Sequence, residues 1–251
     1  MYLKEERQEI IMKLLKERGT VLVSDLSDYF SVSYETIRKD LSQLEKEGLL
    51  VKAHGGATVH QGVLEHSFNT REQKNLSYKK AIAKKAAELI TEESTIIIGS
   101  GSTNVELSKL LLSKRNIKIF TDSLPVANIL LNSENQVFFF GGQLRSKSSS
   151  VAGGWTANQI KQIKVDMSFL GSDGFLSFTG PTSPSSSDTF IDQVIMAQSK
   201  LTYIIADYTK FDYDSLYQIC EWTEISALIT NQEASIDKVE LLKDKTNIIF
   251  A

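Results

Sequence analysis

The 251-residue sequence predicts an α/β protein in two unequal parts, a small helical N-terminal domain closed by a hairpin and a larger domain on a mostly parallel sheet. Three observations predict it. Apolar residues recur at helical spacing through the first sixty positions. Beyond residue 77, seven short apolar runs alternate with amphipathic stretches. Gly, Ser and Asp cluster directly after those runs. The bulk numbers agree: 41% hydrophobic and 24% charged residues, with Gly 14 and Pro 3, describe chain that packs. The length fits one large and one small domain.

Element by element, Ile10, Ile11, Leu14 and Leu15 form a first helical stripe, and Gly19 supplies its stop. After an apolar run at 21–23, Ser24 is placed to cap a second helix carrying Leu26, Tyr29 and Phe30. Ser31-Val32 makes a tight connection. Ser33 then caps a third helix with Ile37, Leu41 and Leu44 on one face, ending at Gly48. Residues 49–51 and Val59 are β-like, and Ala53-His54-Gly55-Gly56-Ala57 between them suits a hairpin tip.

Three helices and a hairpin make a winged helix-turn-helix, assigned to residues 1–59. With its apolar face inward, the third helix turns Tyr34, Glu35, Thr36, Arg38 and Lys39 outward. That is where a recognition helix meets base edges and phosphates of double-stranded DNA. Arg38 and Lys39 suit guanine or phosphate, while Ser33, Thr36 and the helix N-terminus can donate to phosphate oxygens. Lys52 and His54 on the hairpin can approach the backbone or minor groove. A three-helix protein-interaction module is the alternative; the agreement of apolar spacing, serine caps and the Gly-Gly turn favours DNA.

Net charge sets a condition. Lys+Arg 28 against Asp+Glu 31 leaves −3, and residues 1–57 hold nine basic side chains against ten acidic ones. DNA affinity must therefore come from local charge and a few phosphate contacts per subunit, which favours a homodimer or homotetramer on a repeated site.

The run Val32-Ser33-Tyr34-Glu35-Thr36-Ile37-Arg38-Lys39-Asp40-Leu41, with Leu44-Glu45, Gly48 and His54-Gly55-Gly56-Ala57, resembles the DeoR family of bacterial transcription regulators. The resemblance implies operator binding through this helix and wing. Lys39 replaces the family's second arginine, keeping charge and losing the bidentate fork. Lys52 stands where Arg is frequent.

Residues 60–76 are polar and mixed and read as a linker, with 77–251 as the second domain. His54, His60 and His66 recur every six residues, a spacing that matches no helical face. They read as solvent-facing rather than as a metal site. A helix at 78–90 carries Ile82, Ala83, Ala86, Ala87 and Ile90. Apolar runs follow at 95–98, 117–120, 137–140, 167–170, 202–206, 227–229 and 248–250, with amphipathic stretches such as 106–112, 125–131 and 190–197 between them. This alternation predicts a Rossmann-like parallel sheet covered on both faces.

Ligands of such sheets bind beyond the carboxyl ends of the strands. There the sequence places Ser100, Gly101, Ser102, Thr103 and Asn104, then Thr121, Asp122 and Ser123, then Gly141 and Gly142, then Asp173, and finally Lys210. Small residues and hydroxyls at a helix N-terminus accept an anion, and the acids and lysine complete a set suited to a phosphorylated sugar or polyol. The third glycine of a dinucleotide fingerprint and the Gly-Lys-Ser/Thr of a P-loop are missing, so no cofactor is expected. Ordinary βα turns would carry the same residue types.

The DeoR resemblance continues through Ser100-Gly101-Ser102-Thr103, Thr121-Asp122-Ser123-Leu124, Gly141-Gly142, Phe169-Leu170-Gly171 and Ala206-Asp207-Tyr208-Thr209-Lys210-Phe211. It implies an effector domain similar in fold to ribose-5-phosphate isomerase that senses sugar phosphates, and repression of a sugar or sugar-alcohol catabolic operon. Gly99 stands where the family has Asp, Asp122 where Asn is frequent, and a lysine is missing near Asp192 or Gln193; these departures bear on the ligand's identity. The alternative is an isomerase-like enzyme. Such isomerases resemble the chain at the Gly-Ser turn but carry Asp-Gly-Ala-Asp-Glu, where this chain reads Gly171-Ser172-Asp173-Gly174. Of the isomerase run Asp173 alone survives; proton abstraction needs a positioned base, and Asp188 is a further candidate for one. The expectation is binding without turnover.

A single cysteine, Cys220, allows no intrachain disulfide. No apolar stretch approaches a membrane span, and the charged start (Lys4, Glu5, Glu6, Arg7) is unlike a signal peptide, so a cytoplasmic protein off the membrane is expected. The serine-rich stretches 146–150 and 183–187 read as a flexible loop or ligand lid, and Trp155 as a core or subunit-contact residue.

Overall fold

In the computed structural model, which describes residues 2–46, 49–53, 55–59, 65–175 and 179–251, the chain divides into two units, Met1–Leu64 and Glu65–Ala251. Helix α1 (Lys4–Arg18) buries Ile11 and Leu15 and stops at Gly19, which adopts φ 75° and returns its N–H to the Leu15 carbonyl at 2.8 Å. Strand β1 (Thr20–Leu22) leads directly into α2 (Val23–Phe30). Ser24 therefore lies inside the helix instead of capping it. The Val23 N–H bonds the Gly55 carbonyl at 2.8 Å, so the hairpin does the work expected of a serine. Ser33 does cap α3 (Tyr34–Lys46): its Oγ accepts from the Thr36 N–H at 3.2 Å.

Strands β2 (Leu50–Ala53) and β3 (Gly56–Val59) pair antiparallel, and β1 adds to β3 to give a three-stranded sheet. Both strands run further toward the turn than the alternation predicts, because β1 offers β3 a second ladder. A Cβ on Gly56 would sit 2.1 Å from the Val21 carbonyl oxygen, so only glycine lets the two strands meet there. Ile37, Leu41 and Leu44 join Ile11, Leu15, Leu26, Phe30 and Leu50 in one apolar core. Gly48, His54 and His60 lie outside the described residues.

The second unit starts at Glu65, inside the stretch expected to be linker. Ser67 caps α4 (Phe68–Gln73), and Phe68 is buried in the core against α5 (Leu76–Glu88). The polar composition of 65–76 hid this: one buried aromatic anchors the segment.

Seven strands follow: β4 (Thr95–Ile98), β5 (Lys118–Thr121), β6 (Gln136–Phe139), then β9 (Val165–Leu170), β11 (Ser199–Ile205), β13 (Ala227–Thr230) and β14 (Ile248–Phe250). A hairpin of β7 (Gln143–Arg145) and β8 (Ser150–Ala152) falls between β6 and β9, and β10 (Thr182–Ser183) pairs with β12 (Tyr217–Gln218). The main sheet has the order β14-β13-β11-β9-β4-β5-β6, every pairing parallel. Helices α6 (Ser102–Leu111), α7 (Leu124–Leu130), α8 (Gly154–Ile160), α9 (Ser186–Gln198) and α10 (Ile236–Lys243) complete the unit. Alternate strand residues feed two separate cores. Ile97, Leu170 and Ile204 pack on one face; Ile96, Ile98, Phe169 and Ile205 pack on the other.

The chain builds outward from β4 through β5 to β6, then returns to the opposite flank of β4 to build β9, β11, β13 and β14. The loops leaving β4 and β9 thus diverge at the topological switch point, which is where an open α/β sheet opens a crevice. The first serine-rich stretch supplies the tight turn, 146–149, that joins β7 to β8, and the second links β10 to the start of α9. Ser150 is a buried strand residue, and the Ser185 Oγ accepts from the Asp188 N–H at 3.1 Å and starts α9 earlier than its apolar pattern implies. Trp155 is 79% exposed, outside either core.

Candidate functional site

On the first unit, α3 presents Tyr34, Glu35, Arg38 and Lys39 to solvent, with Thr36 half-buried. The Ser33 and Thr36 hydroxyls bond each other at 2.9 Å, which orients both at the helix N-terminus. An open groove runs along α3 beside the start of α1. Lys4, Arg7, Arg38, Lys39 and Lys46 line it against Glu35 and Asp40. Asp40 is neutralised from below: Arg7 Nε donates to its Oδ2 at 2.6 Å, and both residues are buried. The near-neutral unit is therefore locally positive where α3 is exposed, which meets the condition set by its composition. On the wing, the Lys52 N–H bonds Glu45 Oε1 at 2.9 Å and its Nζ donates to Ser42 Oγ at 3.1 Å, tying β2 to α3.

On the second unit, Gly101 at φ 142° turns the chain from β4 into α6, a conformation glycine supplies. No side chain caps α6, so the N–H groups of its first turn stay available beside Ser100, Ser102 and Thr103. Asn104 is fully buried and structural. Its Nδ2 donates to the carbonyls of Gly99 (2.9 Å) and Phe169 (3.1 Å), stitching β4 to β9 at the switch point. Thr121 Oγ1 bonds the Ile98 carbonyl at 2.7 Å and Ser123 caps α7, so both shape the crevice from within. A Cβ on Gly99 would lie 2.8 Å from Leu170 Cδ2, so a larger residue there needs only the end of that leucine side chain to move. Gly141 and Gly142 are clamped onto α8. Thr156 Oγ1 and Gln159 Nε2 donate to the Gly141 carbonyl, and a Cβ on Gly142 would overlap Thr156 Oγ1 at 1.9 Å.

Charge at the crevice divides into two poles. Arg71 on α4 approaches Asp173 at 3.9 Å with its buried Nε unpartnered. Partial burial, Lys74 and Lys210 hold the His66 imidazole below its usual value. Lys79 is buried, donates its ammonium to the Arg71 and Lys74 carbonyls, and is pushed down to about 8 by desolvation. Asn75 reaches Asp207 Oδ1 at 3.1 Å, and Asp207 caps the turn that carries Lys210. The other pole is acidic. Asp122 is buried with Oδ1 unpartnered, and burial reinforced by Asp188 pushes it up to about 7. Asp188 and Asp192 on α9 are raised as well, each by burial first, with Arg145 pulling Asp188 back. Arg145 Nε meets Asp188 Oδ1 at 2.8 Å.

Several of these residues escaped the sequence reading. Lys79 and Asp40 carried a signal: each sits at i, i+3, i+4, i+7 among apolar neighbours (79, 82, 83, 86 and 37, 40, 41, 44), where a charge must be buried and paired. Arg71 and Arg145 sit in polar sequence and carried none. Among the described residues no cluster of three His, Cys, Asp or Glu side chains could hold a metal ion, and no helix is long and apolar enough to cross a membrane.

The DeoR-like helix-turn-helix domain matches residues 7–62, and the DeoR C terminal sensor domain matches residues 74–232. The lactose phosphotransferase system repressor of Streptococcus mutans is 32% identical over 98% of this chain and 99% of its own. The glycerol-3-phosphate regulon repressor of Escherichia coli is 29% identical over 95% of each chain. Among solved structures, ribose 5-phosphate isomerase A from Methanocaldococcus jannaschii is 14% identical over 55% of each chain, with a TM-score of 0.40. Helix, wing and sensor domain occur here in one chain and in one order, and the chain belongs to the DeoR family of DNA-binding transcription regulators.

Proposed function

We propose that this regulator represses a carbohydrate operon and that a phosphorylated sugar or polyol, bound at the switch point of the second unit, controls its hold on operator DNA. The observation that carries the effector reading is the division of charge at the crevice. The free N–H groups of α6 with Arg71 and Lys210 suit a phosphate, and the acids Asp122, Asp188 and Asp192 suit hydroxyl donors. The named roles of the relatives, in lactose phosphotransferase and glycerol-3-phosphate systems, support a ligand of this class.

On the DNA side, the exposed Tyr34, Glu35, Arg38 and Lys39 with Ser33 and Thr36 form the major-groove surface, and Lys52 adds a wing contact. We take the active form to be a homodimer or homotetramer, since one unit offers few free cations. It works in the cytoplasm, beside the DNA it reads. No turnover is proposed: Asp188, a candidate base, is ion-paired to Arg145 at 2.8 Å.

A thermal-shift screen of phosphorylated sugars and polyols tests the effector reading. A ligand at 100 times its dissociation constant adds about 2.7 kcal/mol of stability. Lys210→Ala is expected to lose that shift while retaining operator binding. A shift unchanged in Lys210→Ala removes that residue from the site, and a screen with no stabilising phosphate ester removes the effector reading.

A further inference from the structure

Glu65 is the first residue of the sensor unit as the chain arrives from the DNA-binding unit. Its carboxylate accepts from Arg145 Nη2 at 2.6 Å. The same guanidinium holds Asp188, through Nε to Oδ1 at 2.8 Å and Nη2 to Oδ2 at 3.3 Å. Three residues beyond Glu65, the Phe68 N–H donates to the Lys147 carbonyl at 2.7 Å, so the arriving segment is pinned twice to the β7–β8 hairpin that carries Arg145. All three charged side chains are largely buried, Arg145 at 23% exposed and each carboxylate at 16%. Such a set is sensitive to any change in the hydrogen bonding of one member.

We propose that Arg145 is the positioning residue that couples ligand binding to the DNA-binding unit. It senses the ligand through Asp188 and holds the arriving segment through Glu65. The proposal rests on the effector reading above. Asp188 stands with Asp122 and Asp192 at the acidic pole of the crevice. A sugar hydroxyl donating to Asp188 competes with the Arg145 Nη2 donor, at 3.3 Å, for its oxygens. Arg145 Nη2 donates to both carboxylates, so a shift of the guanidinium at Asp188 moves the donor that Glu65 accepts from. Glu65, outside the crevice's own ligand groups, then registers whether Asp188 is occupied. A ligand that bonds Asp188 in only one of the two arrangements shifts the population between them, which is the requirement for control at a distance.

The test uses the full chain with glycerol 3-phosphate and a panel of hexose 6-phosphates as probes, read by thermal shift and by hydrogen exchange of the backbone. In the wild type, a probe that raises the melting temperature is expected to change exchange across residues 65–70 at least fivefold. In Glu65→Gln, and separately in Arg145→Lys, which keeps the charge and loses the fork, the exchange change at 65–70 is expected to vanish. The Glu65→Gln melting shift stays within a degree of wild type. The proposal is overturned by a wild-type melting shift with no exchange change at 65–70, by an exchange change that persists in both variants, or by loss of the melting shift in Glu65→Gln, which would put Glu65 in the binding site itself. If no probe shifts the wild type, the effector reading fails and takes this coupling with it.

Discussion

The two units treat charge in opposite ways. On the DNA-binding unit the cations proposed to meet the duplex, Arg38 and Lys39, are exposed, and its buried ion pair, Arg7–Asp40, joins α1 to the same helix. On the sensor unit the groups at the crevice are themselves buried: Asp122, Asp207 and Lys79 are each 5% exposed or less, and two of them have strongly displaced pKa values. The contrast follows from the partners. A duplex is a large polyanion met from outside, so cations serve best where they are free to reach it. A small ligand must exchange its hydration shell for groups already oriented, and orientation is achieved by burial and hydrogen bonding. In the proposed function one unit reads by display and the other by enclosure.

Breaking the support beneath the displayed helix has the largest expected effect. Asp40→Ala leaves Arg7 buried without its partner and should destabilise the N-terminal unit by about 3–5 kcal/mol, read from denaturant unfolding. Loss of under 1 kcal/mol would show the pair to be incidental.

The next effect belongs to the enclosed site and depends on pH. Folded Asp122 keeps its proton to about pH 7, whereas the unfolded chain releases it near pH 4. Between those values the folded state binds more protons, so stability falls as pH rises and the loss is complete above 7. Asp122→Asn removes this burden. It should be more stable than wild type by about 1–4 kcal/mol at pH 8, with the gap closing toward pH 4. A gap independent of pH would contradict the burial of a titrating carboxyl.

Smaller effects test the display. Arg38→Ala should lose about 1–3 kcal/mol of discrimination between operator and altered sequences in competition gel shifts. Lys52→Ala should weaken binding alike on all sequences and lower the salt slope by about 1. Equal behaviour of the two variants would undo the assignment of helix to groove and wing to backbone.

The same contrast explains what the sequence made legible. Apolar spacing and apolar runs found α1, α2, α3 and all seven strands of the main sheet; the five inner strands bury much of their runs, while the edge strands β6 and β14 leave Phe138, Phe139 and Phe250 exposed. Ser33 capped where expected, its Oγ accepting from the Thr36 N–H at 3.2 Å. Ser24 did not, because a tertiary bond from Val23 to Gly55 replaced it. The exposed residues of α3 were readable, being what remains once the apolar face of the helix is assigned. At the crevice the sequence reading reached the turns that directly follow the strands, at Ser100–Asn104, Thr121–Ser123, Asp173 and Lys210, because each is local to its strand. Arg71 and Arg145 reach it from segments distant in sequence, and nothing in their neighbours announces the pairing with Asp173 and Asp188. Residues 65–76 looked like linker because one apolar residue, Phe68, anchors them.

Fluorescence anisotropy of the full chain on DNA fragments from upstream of the operon that encodes it, with and without the phosphate ester that stabilises it most, joins display to enclosure in one titration. The account predicts salt-dependent binding to at least one fragment, with an affinity that changes fivefold or more when the ester is present. Failure to bind every fragment, or an affinity that no ester alters, would contradict it.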